Sequence, residues 1–398
     1  MTGGETLRRL VGDEDRFAEE HWGRRPLLHR AAGDFADLLD LPDVDHLVTE
    51  TLLRLPGMRL VKDGKPLPSS SYTRSIRIGS RQVTGTIRPD RVLREFEAGA
   101  TIVLQALHRQ WGPVIRFCRA LEIDLTHPVQ ANAYVTPATS RGFALHHDTH
   151  DVFVIQTHGR KAWRIYAPVV ELAGKEQRWS KHLGDPGPPV LEADLEPGDV
   201  LYIPRGTPHD ATAREEISIH LTIGVTTRTW LDVWRGVMGE AHEHGPFRES
   251  LPIGFARDPG ALARAIRARL PELVAWLEKA AGPDAAESMV AEFWRRRPPE
   301  LSGQLTQLAR LDRLGAETLL RRRPGVFAVG VEGDRAVALL GGRALWMPAW
   351  CTDALRFVEA ADGPFRCGDL PGLDPASSVV LARRLVREGA LEALDAPG

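Results

Sequence analysis

The spacing of apolar residues changes several times along the chain. Residues 13–23 and 43–55 show the three-to-four-residue spacing of amphipathic helices, whereas residues 72–78 and 81–87 alternate as strands do. Residues 99–122 are predicted to form one long amphipathic helix. The N-terminal third of the chain is therefore predicted to mix helices with short strands.

Beyond about residue 125, apolar residues occur in short runs separated by glycine, proline and aspartate. Many short strands joined by turns favour a barrel or a sandwich, and the pattern lacks the strand–helix alternation of a parallel α/β sheet. The predicted strand segments are residues 130–137, 151–159, 161–168, 197–209 and 216–225.

The spacing becomes helical again between about residues 230 and 318. One helix in this region carries a row of apolar side chains that has to be buried against another surface. Because the row is longer than a single barrel needs to cover, we predict a homodimer interface here, with packing against the C-terminal module as the alternative. The row consists of Leu262, Ile266, Leu270, Val274 and Leu277.

The C-terminal segment predicts two strands followed by two helices, a pattern typical of a small winged-helix-like module. We predict three parts: a barrel domain with N-terminal helical elements over residues 1–230, a helical dimerisation region over residues 231–318, and the winged-helix-like domain over residues 319–398. Residues 321–398 contain ten arginines against ten aspartates and glutamates. This balance argues against a phosphate-backbone binder, so we predict no DNA partner.

With 398 residues, 43% hydrophobic residues and a formal net charge of -2, the chain has the composition of a globular protein. Cys118, Cys351 and Cys367 are odd in number and lack C-x-x-C spacing, which favours a reducing cytoplasm. The N-terminus lacks the apolar core of a signal peptide, and no apolar run approaches the roughly 18 residues of a membrane span. We predict a soluble cytoplasmic protein without a membrane partner.

Candidate metal ligands lie in the histidine-rich segment before residue 151. If this segment is a strand, His146, Asp148 and His150 project from one face. His209, which follows a Pro-Arg-Gly-Thr-Pro turn, offers a further ligand. Two histidines and one carboxylate bound facially are typical of non-haem Fe(II) oxygenases, because three coordination positions stay open.

Simpler interpretations compete with a metal site. An H-x-D sequence alone is usually a solvated turn or a hydrogen-bonded pair. The spacing of His146 and His150 also matches a helical zinc pair, but no glutamate follows His146 and the flanking segments are strand-like, so we reject it. His150 could replace His209 as the third ligand, although three ligands from one short strand would lie in a row and could not easily surround an ion.

Lys161 is one of only six lysines, and it begins a predicted strand. Trp163 and Ile165 share its face, which suggests that the face points inward. A buried lysine needs an anionic partner. The alternative is a lysine at the strand end whose amine reaches water.

Three segments together resemble the JmjC-type cupin oxygenases called ribosomal oxygenases: residues 132–166, 201–211 and 218–222. The segment "HWGRRPLLHR" upstream and the winged-helix-like tail are also similar to parts of that family. The resemblance implies a fold of the α+β class, in which a double-stranded β-helix carries N-terminal helices, a helical dimerisation region and a C-terminal winged helix. It also implies an Fe(II)- and 2-oxoglutarate-dependent protein hydroxylase, and so makes the first predicted part the catalytic domain.

The resemblance assigns roles residue by residue. It implies that His146, Asp148 and His209 bind Fe(II), and that Lys161 holds the far carboxylate of the cosubstrate 2-oxoglutarate. Two residues of the "N-x-Y-x-T-P" strand complete the set. The resemblance puts Asn132 in the cosubstrate pocket and Tyr134 on the substrate side.

The predicted substrate is an arginyl or histidyl residue of a protein, possibly a ribosomal one, as the resemblance implies. We expect His150 and Asp151 to lie near the barrel mouth, where an anionic wall beside Tyr134 would favour a cationic or hydrogen-bonding side chain. Alternatively, Asp151 caps a turn or pairs with an arginine. His220 and Ser218 alternate toward the barrel interior, and the sequence leaves their contacts open.

Other functions stay open at the level of sequence. The same oxygenase chemistry could act on a small molecule or a modified peptide. A non-redox metal cupin could use the same ligands with Zn or Mn, and it would not bind 2-oxoglutarate. A scaffold with an inactive barrel and a DNA-binding wing is disfavoured by the complete ligand set and the charge balance of the tail.

Overall fold

A computed structural model describes residues 4–297, 299–325 and 327–394. The chain divides into two compact units, Met1–Thr227 and Arg228–Gly398. Across the described residues, we find no helix that combines the length and the apolar character required to span a bilayer.

The first unit is built mainly from strands. Its helices are α1 (Glu5–Val11), α2 (Glu14–Arg16), α3 (Leu41–Thr49), α4 (Pro89–Glu97) and α5 (Gly112–Leu125). Its strands are β1 (Leu27–His29), β2 (Met58–Lys62), β3 (Lys65–Pro66), β4 (Thr73–Ile78), β5 (Arg81–Ile87), β6 (Thr101–Leu104), β7 (Val129–Thr136), β8 (Asp151–His158), β9 (Lys161–Tyr166), β10 (Pro189–Leu195), β11 (Val200–Ile203), β12 (His209–Ala213) and β13 (Ser218–Val225).

Two sheets form the barrel. The larger has the order β1-β11-β8-β13-β7-β6-β2-β3 and the smaller has the order β10-β9-β12, while β4 and β5 form a separate hairpin. Every pairing within them is antiparallel. The short strands predicted from the apolar runs and turns are therefore present, and their antiparallel pairing forms the double-layered cupin barrel.

The apolar run of β8 is continuous because both of its faces are buried. Val152 and Val154 pack with residues of the smaller sheet between the two sheets. Phe153 and Ile155 face the other way and join the main core beneath the N-terminal helices. The strand is therefore buried on both sides, as its uninterrupted hydrophobicity requires.

One predicted element is wrong. Residues 99–122 do not form a single helix, because Thr101–Leu104 is a fully buried strand between β2 and β7, and α5 begins only at Gly112. A short apolar run that is buried on all sides has no amphipathic period. The contacts with neighbouring strands, and not the local pattern, make it a strand.

The second unit is helical in its first part. Its helices are α6 (Trp230–Gly239), α7 (Pro259–Ala280), α8 (Pro283–Arg295), α9 (Gln304–Ala309), α10 (Thr352–Ala360) and α11 (Pro375–Glu388). Its strands are β14 (Leu319–Arg322), β15 (Phe327–Glu332), β16 (Arg335–Leu340), β17 (Arg343–Pro348), β18 (Phe365–Arg366) and β19 (Leu391–Ala393). A separate hydrophobic core forms around α10, α11 and these strands.

Candidate metal centre

Three side chains converge at one end of the barrel. His146 and Asp148 lie on the loop before β8, and His209 is the first residue of β12. One potential ligand atom from each lies within 4.8 Å of the others. The backbones of His146 and His209 exchange two hydrogen bonds, of 3.2 and 2.8 Å, which hold the loop against the smaller sheet.

Backbone carbonyls orient both histidine rings. The Nδ1–H of His146 donates to the carbonyl of Ala144 at 2.8 Å, and the Nδ1–H of His209 donates to the carbonyl of Thr207 at 3.0 Å. Each ring then keeps its lone pair on Nε2. In His209 this Nε2 atom lies 3.9 Å from the Asp148 carboxylate. Such contacts fix the tautomer of metal-binding histidines in proteins.

The charges of the site also suit a divalent cation. Burial, followed by the neighbouring His146 charge, lowers the pKa of His209 to about 4. Burial alone would raise the pKa of Asp148, but the histidine charges around it, that of His150 first, hold this pKa below its ordinary value. At neutral pH the site therefore presents a neutral imidazole and an ionised carboxylate, which are the metal-binding forms.

The geometry of the histidine segment differs from the predicted strand. Residues 141–150 form a loop with a single bridge at His146, and β8 begins only at Asp151. His146 and Asp148 nevertheless meet, whereas His147 turns away into a buried contact with the Gln177 carbonyl and Trp179. In a loop, two ligands that are two residues apart can approach one ion, and His150 does not have to share their face as it would in a strand.

A pocket opens beside the three ligands. Side chains of both sheets and of the loop line it: Thr101, Tyr134, Phe143, His146, Asp148, Val152, Val154, Lys161, Trp163, His209, Asp210, Ala211, His220 and Thr222, together with Gly142. Most of these residues are apolar or neutral. The charged groups among them therefore decide which ligand the pocket can hold.

Lys161 lies in this pocket and is only 4% exposed. Its Nζ donates to Thr136 Oγ1 at 3.0 Å, and in the described part of the chain no carboxylate lies within ion-pair distance of it. Burial lowers the pKa of Lys161 to about 7. A buried amine without an anion is an unfavourable arrangement that an anionic ligand would relieve.

Two pocket residues were not assigned from the sequence. The indole Nε1 of Trp163 and the Nδ1 of His220 are buried, and within the described residues neither has a hydrogen-bond partner. Burial, with the Lys161 charge next, holds the pKa of His220 well below its ordinary value. The alternation of residues along β13 was the sequence signal that His220 points inward. Ser218 lies on the same strand but does not line the pocket, and its hydroxyl accepts a hydrogen bond from Gln156.

Tyr134 lies on the pocket wall. Its ring stacks on His220 with centroids 4.9 Å apart, and burial raises its pKa to about 12. The guanidinium of Arg59 opposes that rise and lies 5.4 Å from the Phe143 ring centre. No sequence motif marked Arg59, because β2 lies more than 80 residues from the histidine segment.

Three other predicted site residues are not among the residues that line this pocket. Asp151 is fully buried and accepts hydrogen bonds from the Arg205 backbone and Thr227, so it forms no anionic wall at the mouth. His150 packs beside Gly224 and does not line the pocket. Asn132 shares the face of Tyr134, but its Oδ1 accepts the Ala106 N–H, and it is absent from the described pocket lining.

The fold and the site together define a double-sheet barrel with a candidate metal centre of two histidines and one carboxylate. A JmjC domain matches residues 107–233 of the chain. Human ribosomal oxygenase 1 is 30% identical over 262 residues, covering 62% of this chain and 39% of that protein. The Dictyostelium discoideum bifunctional lysine-specific demethylase and histidyl-hydroxylase NO66 is 27% identical over 257 residues, covering 62% and 48%.

Solved structures show the same fold. Escherichia coli ribosomal oxygenase YcfD is 20% identical, with a TM-score of 0.55 over 97% of this chain and 99% of that chain. A second YcfD structure, in complex with cobalt and 2-oxoglutarate, gives a TM-score of 0.52 at 19% identity over the same shares. Residues 107–233 of the chain thus match a JmjC domain, and the chain is similar in sequence to ribosomal oxygenase 1 and in fold to YcfD. It spans less than half the length of the two curated relatives.

Proposed function

We propose that the protein is an Fe(II)- and 2-oxoglutarate-dependent dioxygenase that hydroxylates a protein side chain. The observation that carries this proposal is one pocket with a His146–Asp148–His209 ligand set and a buried, anion-free Lys161. When bound, Fe(II) would couple oxidative decarboxylation of 2-oxoglutarate to insertion of one oxygen atom into a C–H bond. The curated relatives and the cobalt complex of YcfD support the same chemistry.

The three ligands fit this ion because they supply two imidazole nitrogens and one carboxylate, the donor set of the non-haem Fe(II) oxygenases. Lys161 would pair with the far carboxylate of 2-oxoglutarate, because its buried ammonium group has no carboxylate partner among the described residues. Trp163 and His220 offer further polar atoms in the same pocket. Apolar Val152 and Val154 on the opposite side would limit the access of water.

Purified protein with Fe(II), 2-oxoglutarate and oxygen tests this function. We expect succinate formation that depends on all three and that a peptide substrate stimulates. Calorimetry that detects no 2-oxoglutarate binding to the metal-loaded protein would contradict the proposal and favour a non-redox metal cupin.

For the substrate, we propose a histidyl or arginyl residue on an extended protein segment, with a ribosomal protein as the source. The charges of the pocket favour the histidine. Asp148 would be occupied by the metal, and Asp210 forms two 3.0 Å hydrogen bonds with Arg164. Within the described part of the chain, the other charge that acts on Tyr134 is the Arg59 guanidinium, which would repel a cationic side chain but accommodate a neutral imidazole.

Ribosomal-protein peptides in matched histidine and arginine versions distinguish the two side chains. The histidine version should gain roughly 16 Da and stimulate 2-oxoglutarate turnover, because one oxygen atom is added on hydroxylation. Preferential oxidation of the arginine version would contradict the electrostatic argument. Oxidation of a free metabolite but of neither peptide would leave the oxygenase chemistry and remove the protein substrate.

We further propose the three-part organisation of residues 1–230, 231–318 and 319–398, in which the second part forms a homodimer and the third is winged-helix-like without a DNA partner. Helix α7 supports the dimer, because none of its 22 residues is buried in the chain. Ile266, Leu270 and Val274 are 60%, 53% and 46% exposed. Light scattering at micromolar concentration should give twice the monomer mass of 44.0 kDa, and a monomer would contradict it.

We place the protein in the cytoplasm. Its three cysteines, Cys118, Cys351 and Cys367, are all buried and free, which suits a reducing compartment. Fractionation of cells with an antibody against the protein tests this location. Recovery in a membrane or extracellular fraction would contradict it.

A further inference from the structure

A buried ion pair includes a residue of the turn that leads into His209. Asp151 opens β8 and is 0% exposed, and the side chain of its partner Arg205 is only 12% exposed. Asp151 Oδ1 accepts the backbone N–H of Arg205 at 2.8 Å, and Oδ2 accepts the Thr227 hydroxyl at 2.8 Å and an Arg205 Nη1–H at 3.4 Å. In the described residues, the hydrogen bonds to this carboxylate come from Arg205 and Thr227.

Arg205 belongs to the turn that leads into His209. The following residue, Gly206, has φ +82°, and a Cβ there would lie 2.0 Å from the Val170 carbonyl, so only glycine fits. The Gly206 N–H donates to the backbone carbonyl of Asp148 at 2.9 Å. One residue later, the Thr207 carbonyl accepts the Nδ1–H of His209 at 3.0 Å. The turn thus touches two of the three candidate ligands.

We infer that Asp151 is a positioning residue for the metal centre: through Arg205 it fixes the 204–208 turn, which in turn holds the Asp148 backbone and the His209 ring. The inference rests on the proposed function, because it assumes that these residues bind a metal. It replaces the substrate contact expected of Asp151 from the sequence. Neither Asp151 nor Arg205 lines the pocket in the described residues, so the effect acts through the ligands.

Binding of Co(II) to the full chain, followed by calorimetry and by the visible d–d absorption of the ion, tests the inference without turnover. Asp151→Asn keeps the shape of the side chain but removes its charge. We expect a 10- to 100-fold weaker Co(II) affinity, the usual cost of losing an outer-shell partner of a metal ligand, and an altered spectrum. A folded Asp151→Asn protein with wild-type affinity and spectrum would overturn the inference.

Asp199→Asn is the matched control. Asp199 is 5% exposed and likewise accepts an arginine guanidinium, that of Arg30, and the backbone N–H groups of Ala31 and Glu196. Among the described residues, its side chain forms no hydrogen bond or ion pair with the ligands or their turn, so its loss should lower the melting temperature but leave Co(II) affinity unchanged. An equal loss of affinity in both variants would mean general destabilisation and would overturn the positioning role.

Thr227→Val keeps the test decisive if Asp151→Asn does not fold. It removes one hydrogen bond to Asp151 and leaves the ion pair, so we expect a Co(II) affinity a few-fold weaker than that of the wild type. Unchanged affinity and spectrum in this variant would count against the inference. Failure of the wild-type protein to bind Co(II) would instead refute the proposed metal centre itself.

Discussion

Strand β13 and helix α7 are both rich in apolar residues, but their surroundings differ. In β13, Ile219, Leu221 and Ile223 are completely buried, and the residues between them include His220, which lines the pocket. In α7, Ile266 and Leu270 remain more than half exposed. The barrel buries its own hydrophobic surface within one chain, and the polar groups of the pocket are set among these buried residues. The helix needs a second surface, which we propose is another copy of the chain.

The largest effect should come from the polar groups that the barrel holds. His146→Ala or Asp148→Ala removes a ligand and should reduce 2-oxoglutarate turnover to background, because the facial donor set is lost. Succinate release measures the effect. His242→Ala is the control in the helical region, where this exposed side chain should be dispensable. Turnover retained in both ligand variants would remove the assignment of the pair.

Matched leucine truncations compare the two hydrophobic surfaces directly. Leu221→Ala opens a cavity in the barrel core and should lower the free energy of unfolding by about 2–5 kcal/mol. Leu270→Ala should change the stability of the monomer by less than about 0.5 kcal/mol, since this side chain is exposed in the chain. Urea unfolding at a protein concentration that light scattering shows to be monomeric measures both values.

At concentrations that favour the dimer, the same Leu270→Ala variant should lose mass in light scattering and become less stable relative to wild type. Equal stability losses from Leu221→Ala and Leu270→Ala in the monomer would break the contrast between the two surfaces. A variant that remains fully dimeric would place the interface elsewhere.

A smaller effect is expected at the pocket lysine. Lys161→Ala removes a charge-assisted contact worth about 1.5–3 kcal/mol, so the 2-oxoglutarate requirement should rise roughly tenfold or more. Titration of turnover against 2-oxoglutarate measures it. Lys279→Ala, on the exposed helix α7, is the control. An unchanged requirement in Lys161→Ala would mean that another cation holds the carboxylate.

The smallest effect concerns pH. Burial lowers the pKa of Lys161 to about 7, so the charged form that binds a carboxylate is lost as pH rises above that value. The affinity of the metal-loaded protein for 2-oxoglutarate should therefore fall several-fold from pH 7 to pH 8. Lys161→Arg keeps its charge and should remove this dependence. His220 faces Lys161 and stays neutral over the range, because its pKa lies well below the ordinary value.

Much of the site could be predicted from local sequence. The short apolar runs with turns between them indicated a barrel or a sandwich, because alternation and turn chemistry are local properties. Residue types and spacing, together with the family resemblance, selected His146, Asp148, His209, Lys161 and Tyr134. All five side chains line one pocket in the structure.

Tertiary structure alone decided the rest. Thr101–Leu104 is a strand because neighbouring strands bury it on all sides, and its own sequence has no period that distinguishes strand from helix. Asp151 is buried against Arg205, and Arg59 approaches Tyr134, across distances in sequence that no motif spans. Ligand type is encoded in residue identity, whereas the charge around a pocket depends on which distant side chains the fold brings together.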